Sequence, residues 1–279
     1  MGSDRAELAA FLRSRRDRLT PHQAGIEPFP GARRVPGLRR EELAVLAGLS
    51  PDYYSRLEQG RQANISREVL DALARALRLD DVERAHLHDL AAPATTRHVA
   101  AADVPQRADP GLLRVMGALD HVPVVLLGRR ATVLASNALL RAVLGHPMEP
   151  GTSFARFLLL DPEARRRILN WADFAQAMVA GMRREAGRYP HDRRLHRAIA
   201  ELRRADPDVA RWWDDHAVRD YASAIKRIRH PIAGDLVFNI ELVAAPQQPD
   251  QHLIIYTAEP GSTTAGNLPL LASWVSDRG

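Results

Sequence analysis

The stretch from Leu38 to Gly60 constrains the fold more strongly than any other part of the chain, because small residues, a turn and a helix cap follow one another in it. Ala44 and Ala47 are small enough to let a second helix cross closely over the first. Gly48 suits the tight turn between them, since glycine adopts left-handed backbone angles without a steric penalty. Ser50 can accept hydrogen bonds from the free amides at the start of the next helix. The stretch therefore predicts a helix-turn-helix.

The second helix of this pair is predicted to begin at Pro51, because proline suits the first helical position. Tyr54 and Leu57 are expected to face inward, and Leu49 and Tyr54 have the spacing of a hydrophobic staple. The outward side has a size that fits a DNA major groove. With the cap, it comprises Ser50, Asp52, Tyr53, Ser55, Arg56 and Gln59. Arg56 is the best candidate for a base contact, because a guanidinium can donate to both acceptors of a guanine.

Arginine is concentrated just before this motif and at its start. Eight arginines and only two acidic residues lie between Arg13 and Arg40, whereas the whole chain has a net charge of +5. Arg39 and Arg40, at the start of the first helix of the motif, are placed to hold DNA phosphates. The alternative interpretations are a solvated helix face for the arginines and a helical hairpin that only packs for the motif.

Helical patterns flank the motif on both sides. They cover residues 4–18, a segment that begins after Ser66, and a segment from Asp80 to Leu90. The segment from Pro21 to Gly37 is rich in proline and glycine and is predicted to be loop. We therefore expect an all-α domain of five helices over residues 1–91. Residues 92–110 are predicted to be a linker, because they contain three prolines and no periodicity.

The chain beyond residue 110 mixes strand and helix patterns. The predicted strands are Val122–Leu127, Ala131–Ala135, Leu236–Val243 and Leu253–Ala258, with a hairpin at 128–130 and a turn at Pro246–Gln251. The predicted helices cover about 137–145, 161–187, 192–204 and 207–222. Strands at both ends of the segment can share one sheet, so residues 111–279 are predicted to form an α+β domain. The expected fold class is therefore multidomain, with an all-α domain followed by an α+β domain.

The composition argues against several classes of protein. The chain has no cysteine, which removes disulfides, thiolate metal sites and a thiol nucleophile. It has no apolar run near the ~20 residues that a membrane span needs, and its first residues lack the apolar core of a secretory signal. It also lacks a G-x-S-x-G elbow, a phosphate-binding glycine loop and an H-E-x-x-H pattern. We therefore expect a cytoplasmic protein that is not an enzyme, with no membrane partner, no cofactor, no metal site and no catalytic residues.

The N-terminal part resembles the lambda-repressor-like, or XRE, helix-turn-helix family. The similarity to an actinobacterial branch is carried by ARRVPGLRREELAVLAGLSPDYYSRLEQGR and by SREVLDALARALRLDDVERAHLHDLA, and it covers residues 4–91. Ile65 departs from the pattern, because that branch often has proline before the capping Ser66; the departure affects only the start of a helix. The resemblance implies a transcriptional regulator that binds double-stranded DNA.

The C-terminal half resembles the MmyB-like ligand-binding domain, which often follows such a head and has a PAS-like fold. The similarity runs from about 112 to 271. It is carried by Ser136-Asn137-Ala138, Phe157 to Pro162, Asn170-Trp171, Val179 to Arg183, Glu201-Leu202, Trp212-Trp213 with His216 and Val218, His230-Pro231 and Leu253 to Ser262. Ala205-Asp206 departs from the pattern before the tryptophan pair. The resemblance implies a small-molecule sensor, with a long-chain fatty acid or similar amphiphile as its ligand.

Candidate ligand-binding residues belong to three groups. The first group is an apolar stripe at helical spacing, formed by Trp171, Phe174, Met178 and Met182. The second group consists of basic residues that can pair with a ligand carboxylate, namely Lys226, Arg229 and His230. The resemblance adds Asn137. The stripe can line an apolar cavity, or it can be ordinary core. Each basic residue can instead be solvated at the surface.

Together, these patterns predict a sequence-specific regulator that acts as a homodimer on a near-palindromic operator. Ligand occupancy of the C-terminal domain is expected to change operator affinity by linkage. Two alternatives stay open. In one, the C-terminal domain only dimerises. In the other, it is an enzyme that processes a small molecule while the DNA-binding head provides autoregulation.

Overall fold

The computed structural model describes residues 2–30, 35, 37–62, 64–92, 106–215 and 224–276. The chain forms two compact units, an N-terminal unit of Met1–Ala102, Arg183–Arg194 and Trp212–Arg219, and a C-terminal unit of the remaining residues. The domain limits 1–91, 92–110 and 111–279 stay a prediction. Most of the predicted linker, Arg33 and Arg34 of the arginine cluster, and His216 and Val218 lie outside the described residues.

The described residues up to 92 contain helices and connecting segments but no strand. The helices are α1 (Gly2–Arg18), α2 (Pro21–Ala24), α3 (Arg40–Leu46), α4 (Pro51–Glu58), α5 (Arg67–Ala76) and α6 (Asp81–Ala91). The prediction of an all-α N-terminal domain is thus confirmed. It has one more short helix than expected, because α2 lies in the segment 21–37 that was predicted to be loop.

The short helix α2 follows from a local hydrogen-bond exchange. The Gln23 amide donates to Thr20 Oγ1, and the Thr20 amide donates to Gln23 Oε1 at 3.0 Å. Pro21 occupies the first helical position, and Gly25 ends the turn with φ 77°. A capping box is therefore strong enough to form one helical turn inside a segment whose proline and glycine content predicted loop.

The core of the helical bundle is made by apolar side chains of its longer helices, together with Leu38 from the segment before α3. Fully buried members include Phe11, Leu12, Leu38, Leu43, Tyr54, Leu57, Leu73 and Leu87. Ala44 on α3 is also fully buried. Because leucine and the aromatic residues contribute about 1.5–3 kcal/mol each on burial, this cluster fixes the helix arrangement.

From residue 110 onward, the described residues contain two groups of strands with a run of helices between them, as predicted for an α+β domain. The elements are α7 (Pro110–Ala118), β1 (Val124–Leu127), β2 (Val133–Ser136), α8 (Ala138–Leu144), α9 (Phe154–Leu160), α10 (Pro162–Arg167), α11 (Trp171–Arg188), α12 (Arg193–Ala205), α13 (Pro207–Asp214), β3 (Ala224–His230), β4 (Gly234–Ala245), β5 (Gln248–Thr257) and α14 (Thr263–Ser276).

The five strands form one antiparallel sheet in the order β2-β1-β5-β4-β3. The N-terminal strand β1 pairs directly with the C-terminal strand β5, with Val125 opposite Ile254. The prediction that the outer strands share a sheet is therefore confirmed. Residues alternate across β3, so that Lys226, Ile228 and His230 are buried, whereas Ile225, Arg227 and Arg229 are exposed.

Two predictions about local structure were wrong, and one strand was not predicted. The helix predicted over 161–187 is divided into α10 and α11, because Ile168 takes extended backbone angles and forms a β-bridge with Ile228. The turn predicted at Pro246–Gln251 is shorter, since β5 already begins at Gln248. Strand β3 was missed, because its buried face contains Lys226 and His230, which hide the usual alternation of apolar and polar residues.

Candidate nucleic-acid interface and ligand-binding core

The turn between α3 and α4 is built as its residue types predict. Gly48 has a left-handed backbone conformation with φ 66°. The Tyr53 amide donates to Ser50 Oγ at 3.2 Å, so Ser50 caps α4, and Pro51 is its first residue. Tyr54 and Leu57 are buried, so the opposite side of α4 faces outward. Local hydrogen bonding therefore fixes both the start of α4 and the face that it presents.

The outward face of α4 contains the predicted DNA-contacting residues. Asp52, Arg56 and Gln59 are exposed, while Tyr53 and Ser55 are partly buried. Arg56 Nη2 lies 3.2 Å from Asp52 Oδ2, and Gln59 Nε2 donates to Ser55 Oγ at 3.2 Å. Exposed ion pairs contribute at most about 1 kcal/mol, so Arg56 can leave Asp52 for a base at small cost. The DNA-contacting roles of these residues stay predictions.

Arg39 and Arg40 differ in what they contact. Arg39 Nη1 donates to the Pro30 carbonyl oxygen at 3.0 Å, close to the start of α3. Arg40 Nε donates to Glu58 Oε2 at 2.8 Å, although 44% of the Arg40 side chain is exposed. Arg40 is therefore part of the structure that holds α4, in addition to its predicted role at the DNA backbone.

Glu58 is the residue of this region that sequence reasoning missed. Its carboxylate is fully buried and accepts hydrogen bonds from Arg16 Nε at 2.5 Å, Arg40 Nε at 2.8 Å and Tyr54 Oη at 2.7 Å. Arg16 also donates to the Leu38 carbonyl oxygen at 2.7 Å. The Glu58 cluster, defined as Glu58 with Arg16, Arg40 and Tyr54, thus connects α1, α3 and α4. The signal in the sequence was the spacing of Tyr54 and Glu58, four residues apart on one side of a helix.

The electrostatics of the Glu58 cluster keep the carboxylate ionised. Burial by itself would raise the pKa of Glu58, but hydrogen bonds from Arg16, Arg40 and Tyr54 outweigh that effect and hold the pKa below its usual value. Burial and the neighbouring carboxylate raise the pKa of Tyr54 well above its ordinary range. Helix α4 is thereby attached to the bundle through a charged, hydrogen-bonded contact.

In the C-terminal half, the predicted apolar stripe lies on α11. Trp171, Phe174, Met178 and Met182 are all buried, with 2–8% of their surface exposed. Trp171 Nε1 donates to the Leu158 carbonyl oxygen at 2.6 Å, and the Arg165 guanidinium lies 4.0 Å from the Trp171 ring centre. The structure brings the stripe together as one buried face, an arrangement that suits both a ligand-lining surface and ordinary core.

Asn137, His230 and Arg229 each have protein partners. Asn137 Oδ1 accepts from the Val124 and Leu140 amides, and its Nδ2 donates to the Val122 carbonyl oxygen at 2.6 Å. His230 Nδ1 accepts from two amides of the turn that follows β3, and its Nε2–H donates to a carbonyl oxygen of α8 at 3.2 Å. Burial lowers the pKa of His230, which favours the neutral form of this ring. Arg229 is exposed on the opposite side of β3 and pairs with Asp235 at 3.0 Å. The three do not face a common site.

Lys226, in contrast, is buried on the inner side of β3. Its Nζ donates to Tyr256 Oη at 3.0 Å and lies 4.3 Å from the ring centre of Phe174. Burial lowers the pKa of Lys226 to about 7 and raises the pKa of Tyr256 well above its ordinary value. The polar group that the structure places beside the α11 stripe is therefore this Lys226–Tyr256 pair.

An open cleft of about 690 Å³ lies elsewhere in the C-terminal unit. It is lined by the loop 145–150 together with Ala135, Ser136 and Arg141. None of the predicted ligand-binding residues lines this cleft. In the described ranges, no group of three or more histidine and acidic side chains is arranged to hold a metal ion.

Comparison with known protein families places both halves of the chain. Residues 7–87 match a helix-turn-helix domain, and residues 108–271 match the ligand-binding domain of MmyB-like transcription regulators. No curated protein matched the chain. None of the helices in the described ranges has both the length and the apolar character of a membrane span. The second match alone covers more than half of the chain, and it follows a bundle whose α3, turn and α4 have helix-turn-helix geometry. The chain therefore belongs to the MmyB-like transcription regulators, with a DNA-binding helix-turn-helix domain ahead of its ligand-binding domain.

Proposed function

We propose that this regulator reads a specific, near-palindromic operator with α4 and that an amphiphilic, fatty-acid-like molecule in its C-terminal domain changes operator affinity. The proposal for DNA binding rests on how α4 is held in the bundle and which side chains it exposes. Its inner side is held by Tyr54, Leu57 and the buried Glu58, and its outer side presents Asp52, Arg56 and Gln59 to solvent. A short helix with a rigid inner side and a polar outer side suits insertion into a major groove.

The proposed base contact is made by Arg56. Its exposed pair with Asp52 is weak and costs little to break, and a guanine that offers O6 and N7 accepts two hydrogen bonds from the same guanidinium. One such bidentate contact discriminates between bases by about 1–3 kcal/mol. Because a single recognition helix contacts few base pairs, we propose a homodimer that places two copies of α4 about one DNA turn apart. Such a regulator acts where its DNA is, which we take to be the cytoplasm.

The proposal for the ligand rests on the α11 stripe. Four large side chains, two of them methionines, form one buried apolar face. Methionine is unbranched and repacks readily around ligands of different shape, which suits a site for an alkyl chain. Occupancy of such a site changes DNA affinity if the ligand binds the DNA-competent state and the other state unequally.

The second candidate function for the C-terminal domain is dimerisation alone. It is favoured by the hydrogen bond of Trp171 to Leu158, which gives one member of the stripe a purely structural partner. We propose no catalytic activity. Turnover of a small molecule by the purified protein would support the enzyme alternative instead.

Two measurements on the full chain test this function. An operator is first selected from random-sequence DNA, and its affinity is compared with that of a scrambled duplex by fluorescence anisotropy. Native mass spectrometry of freshly purified protein, with analysis of its organic extract, then identifies any bound molecule. We expect at least a 1,000-fold preference for the operator and a stoichiometric amphiphile whose addition to delipidated protein shifts operator affinity. Equal affinity for both duplexes contradicts the DNA proposal, and unchanged operator affinity with added amphiphile favours dimerisation alone.

A further inference from the structure

The C-terminal unit buries a lysine amine for which the structure describes no anionic partner. Lys226 is the single lysine of a chain that otherwise uses arginine for its basic side chains, and 2% of its surface is exposed. Its Nζ lies 6.0 Å from the ring centre of Phe154, 4.3 Å from that of Phe174 and 4.9 Å from that of Tyr256. Aromatic faces stabilise a cation partly, but the hydrogen bond to Tyr256, the one found among the described residues, uses only one of the three N–H groups of an ammonium.

The immediate surroundings of Lys226 leave its charge uncompensated. Among the described residues, no carboxylate forms an ion pair with Nζ, and the group that hydrogen-bonds to it is a neutral hydroxyl. A buried charge is normally paired, because removing an ion from water is energetically costly. An anion that enters next to Nζ would supply the missing partner and would also accept a hydrogen bond from Tyr256 Oη.

The same amine lies beside the apolar stripe of α11. Phe174 belongs to both groups, since its ring lies against Nζ and its position on α11 is one turn from Trp171 and Met178. The ring of Phe238 lies 5.7 Å from that of Tyr256 and extends the apolar surroundings on the sheet side. A polar head group and an alkyl chain could thus be held side by side in this core.

We propose that Lys226 and Tyr256 form the head-group site of the ligand-binding domain and that this site takes the carboxylate of an amphiphile whose chain lies along the α11 stripe. This inference rests on the proposed sensing function and names the part of the molecule that recognises the ligand. The carboxylate oxygens accept hydrogen bonds from Lys226 Nζ and Tyr256 Oη. The methionines of the stripe repack to admit the chain.

This arrangement has a consequence for pH that an apolar cavity alone does not have. Burial holds the pKa of Lys226 at about 7, and Tyr256 keeps its proton because burial raises its pKa. The groups facing Nζ are the Tyr256 hydroxyl and the Phe154 and Phe174 rings, so no other described charge competes. A carboxylate pairs with the ammonium form, and above pH 7 its binding therefore takes up a proton. The dissociation constant for a carboxylate should rise about 25-fold between pH 6.5 and pH 8.5.

The test compares two probes with the same chain, decanoate and 1-decanol, on the delipidated full-length protein. Affinities are measured by isothermal titration calorimetry at pH 6.5, 7.5 and 8.5, and proton uptake is measured at pH 8.5 in buffers of different ionisation enthalpy. We expect decanoate to bind with an affinity that weakens about 25-fold over this range and with uptake of close to one proton. Decanol is expected to bind with an affinity that does not change with pH.

Two variants serve as probe and matched control. Lys226→Met removes the amine and keeps an unbranched side chain, and it should abolish both proton uptake and the pH dependence for decanoate. Arg227→Met removes a cation from the next position on the exposed side of β3 and should leave both unchanged. The wild-type comparison of the two probes needs no variant, so it stands even if Lys226→Met does not fold.

The outcomes separate this inference from the function on which it rests. Equal, pH-independent binding of decanoate and decanol overturns the head-group site and leaves the amphiphile sensor in place. Binding of neither probe overturns both. Decanoate binding whose pH dependence persists in Lys226→Met assigns the carboxylate to another group and also overturns the inference.

Discussion

Replacing Glu58 by glutamine tests how α4 is held in the helical bundle. The change keeps the size of the side chain and removes its charge. In the folded protein the carboxylate accepts from Arg16, Arg40 and Tyr54, and Arg16 is itself about 95% buried. The amide cannot neutralise Arg16, and its NH₂ group would point at a donor. The variant therefore leaves a buried guanidinium without its counter-charge.

The size of the expected destabilisation follows from the burial of both Glu58 and Arg16. Breaking a buried ion pair by removing one side costs about 3–5 kcal/mol, since the remaining charge stays desolvated. This is a large part of the 5–15 kcal/mol that stabilises a domain. If α1, α3 and α4 open together, their protected amides should exchange about 150- to 5,000-fold faster in Glu58→Gln than in the wild type.

Hydrogen-exchange mass spectrometry of the full chain measures this effect peptide by peptide. Glu41→Gln is the matched control, because it makes the same chemical change at an exposed position on α3, and its exchange should be close to that of the wild type. A double variant, Arg16→Met with Glu58→Gln, should lose less stability than the sum of the losses in the two single variants, because it also removes the guanidinium that Glu58→Gln leaves unpaired. Equal exchange in Glu58→Gln and Glu41→Gln would refute the reasoning.

The same cluster sets how the helical bundle responds to acid. The folded-state pKa of Glu58 is held below its unfolded value of about 4.5, so its stabilising contribution is complete above that pH and is lost as the pH falls through the folded-state pKa. Wild-type protection of α4 should therefore fall in acid, and Glu58→Gln should lack that component. If Glu58→Gln retained the full loss of protection in acid, other carboxylates would be responsible for that loss.

Three further changes give separate readouts. Arg56→Ala should weaken operator binding by about 1–3 kcal/mol and relax the preference at one base pair, as measured by anisotropy on single-base operator variants; unchanged discrimination would contradict the assignment of α4 as the reading helix. Arg39→Ala should weaken binding to all duplexes alike and reduce the salt slope by about one, whereas a base-specific loss would contradict a phosphate contact. Folding lowers the pKa of Lys226 from 10.5 to about 7, so unfolding at neutral pH binds a proton. The free energy of unfolding should therefore rise by about 2 kcal/mol between pH 7 and pH 9, as measured by urea unfolding followed by tryptophan fluorescence. Lys226→Met should remove that rise, and an equal rise in the variant would show that another group titrates.

Local interactions explain the parts of the fold that were predicted correctly. Ser50 caps α4, Ser66 caps α5, and Asp80 and Glu83 form a capping box at α6, each through partners three residues away. Gly48 has the positive φ that the turn requires. Because these contacts join neighbours in the chain, residue type and spacing are enough to predict them. The predicted inward and outward sides of α4 follow in the same way from the helical period.

Contacts between distant residues explain what the sequence did not reveal. Glu58 meets Arg16 across 42 positions of the chain, and its role depends on the packing of α1 against α4. Ile168 leaves the helical conformation to bridge with Ile228, so a helix-forming pattern was interrupted by a strand 60 positions later. In both cases the partner is supplied by the tertiary fold, and no local pattern encodes it.

The basic residues of β3 illustrate the difference most directly. By itself, the sequence determined a DNA-binding head, an α+β domain after it, and the presence of Lys226, Arg229 and His230 close together near the C-terminus. Only the tertiary structure decided that Arg229 faces solvent, that His230 is buried and fixed to backbone groups, and that Lys226 lies in an aromatic core beside Tyr256. The physical reason is that a strand sends successive side chains to opposite faces, and that the pKa of an amine depends on the solvent and charges that the fold places around it.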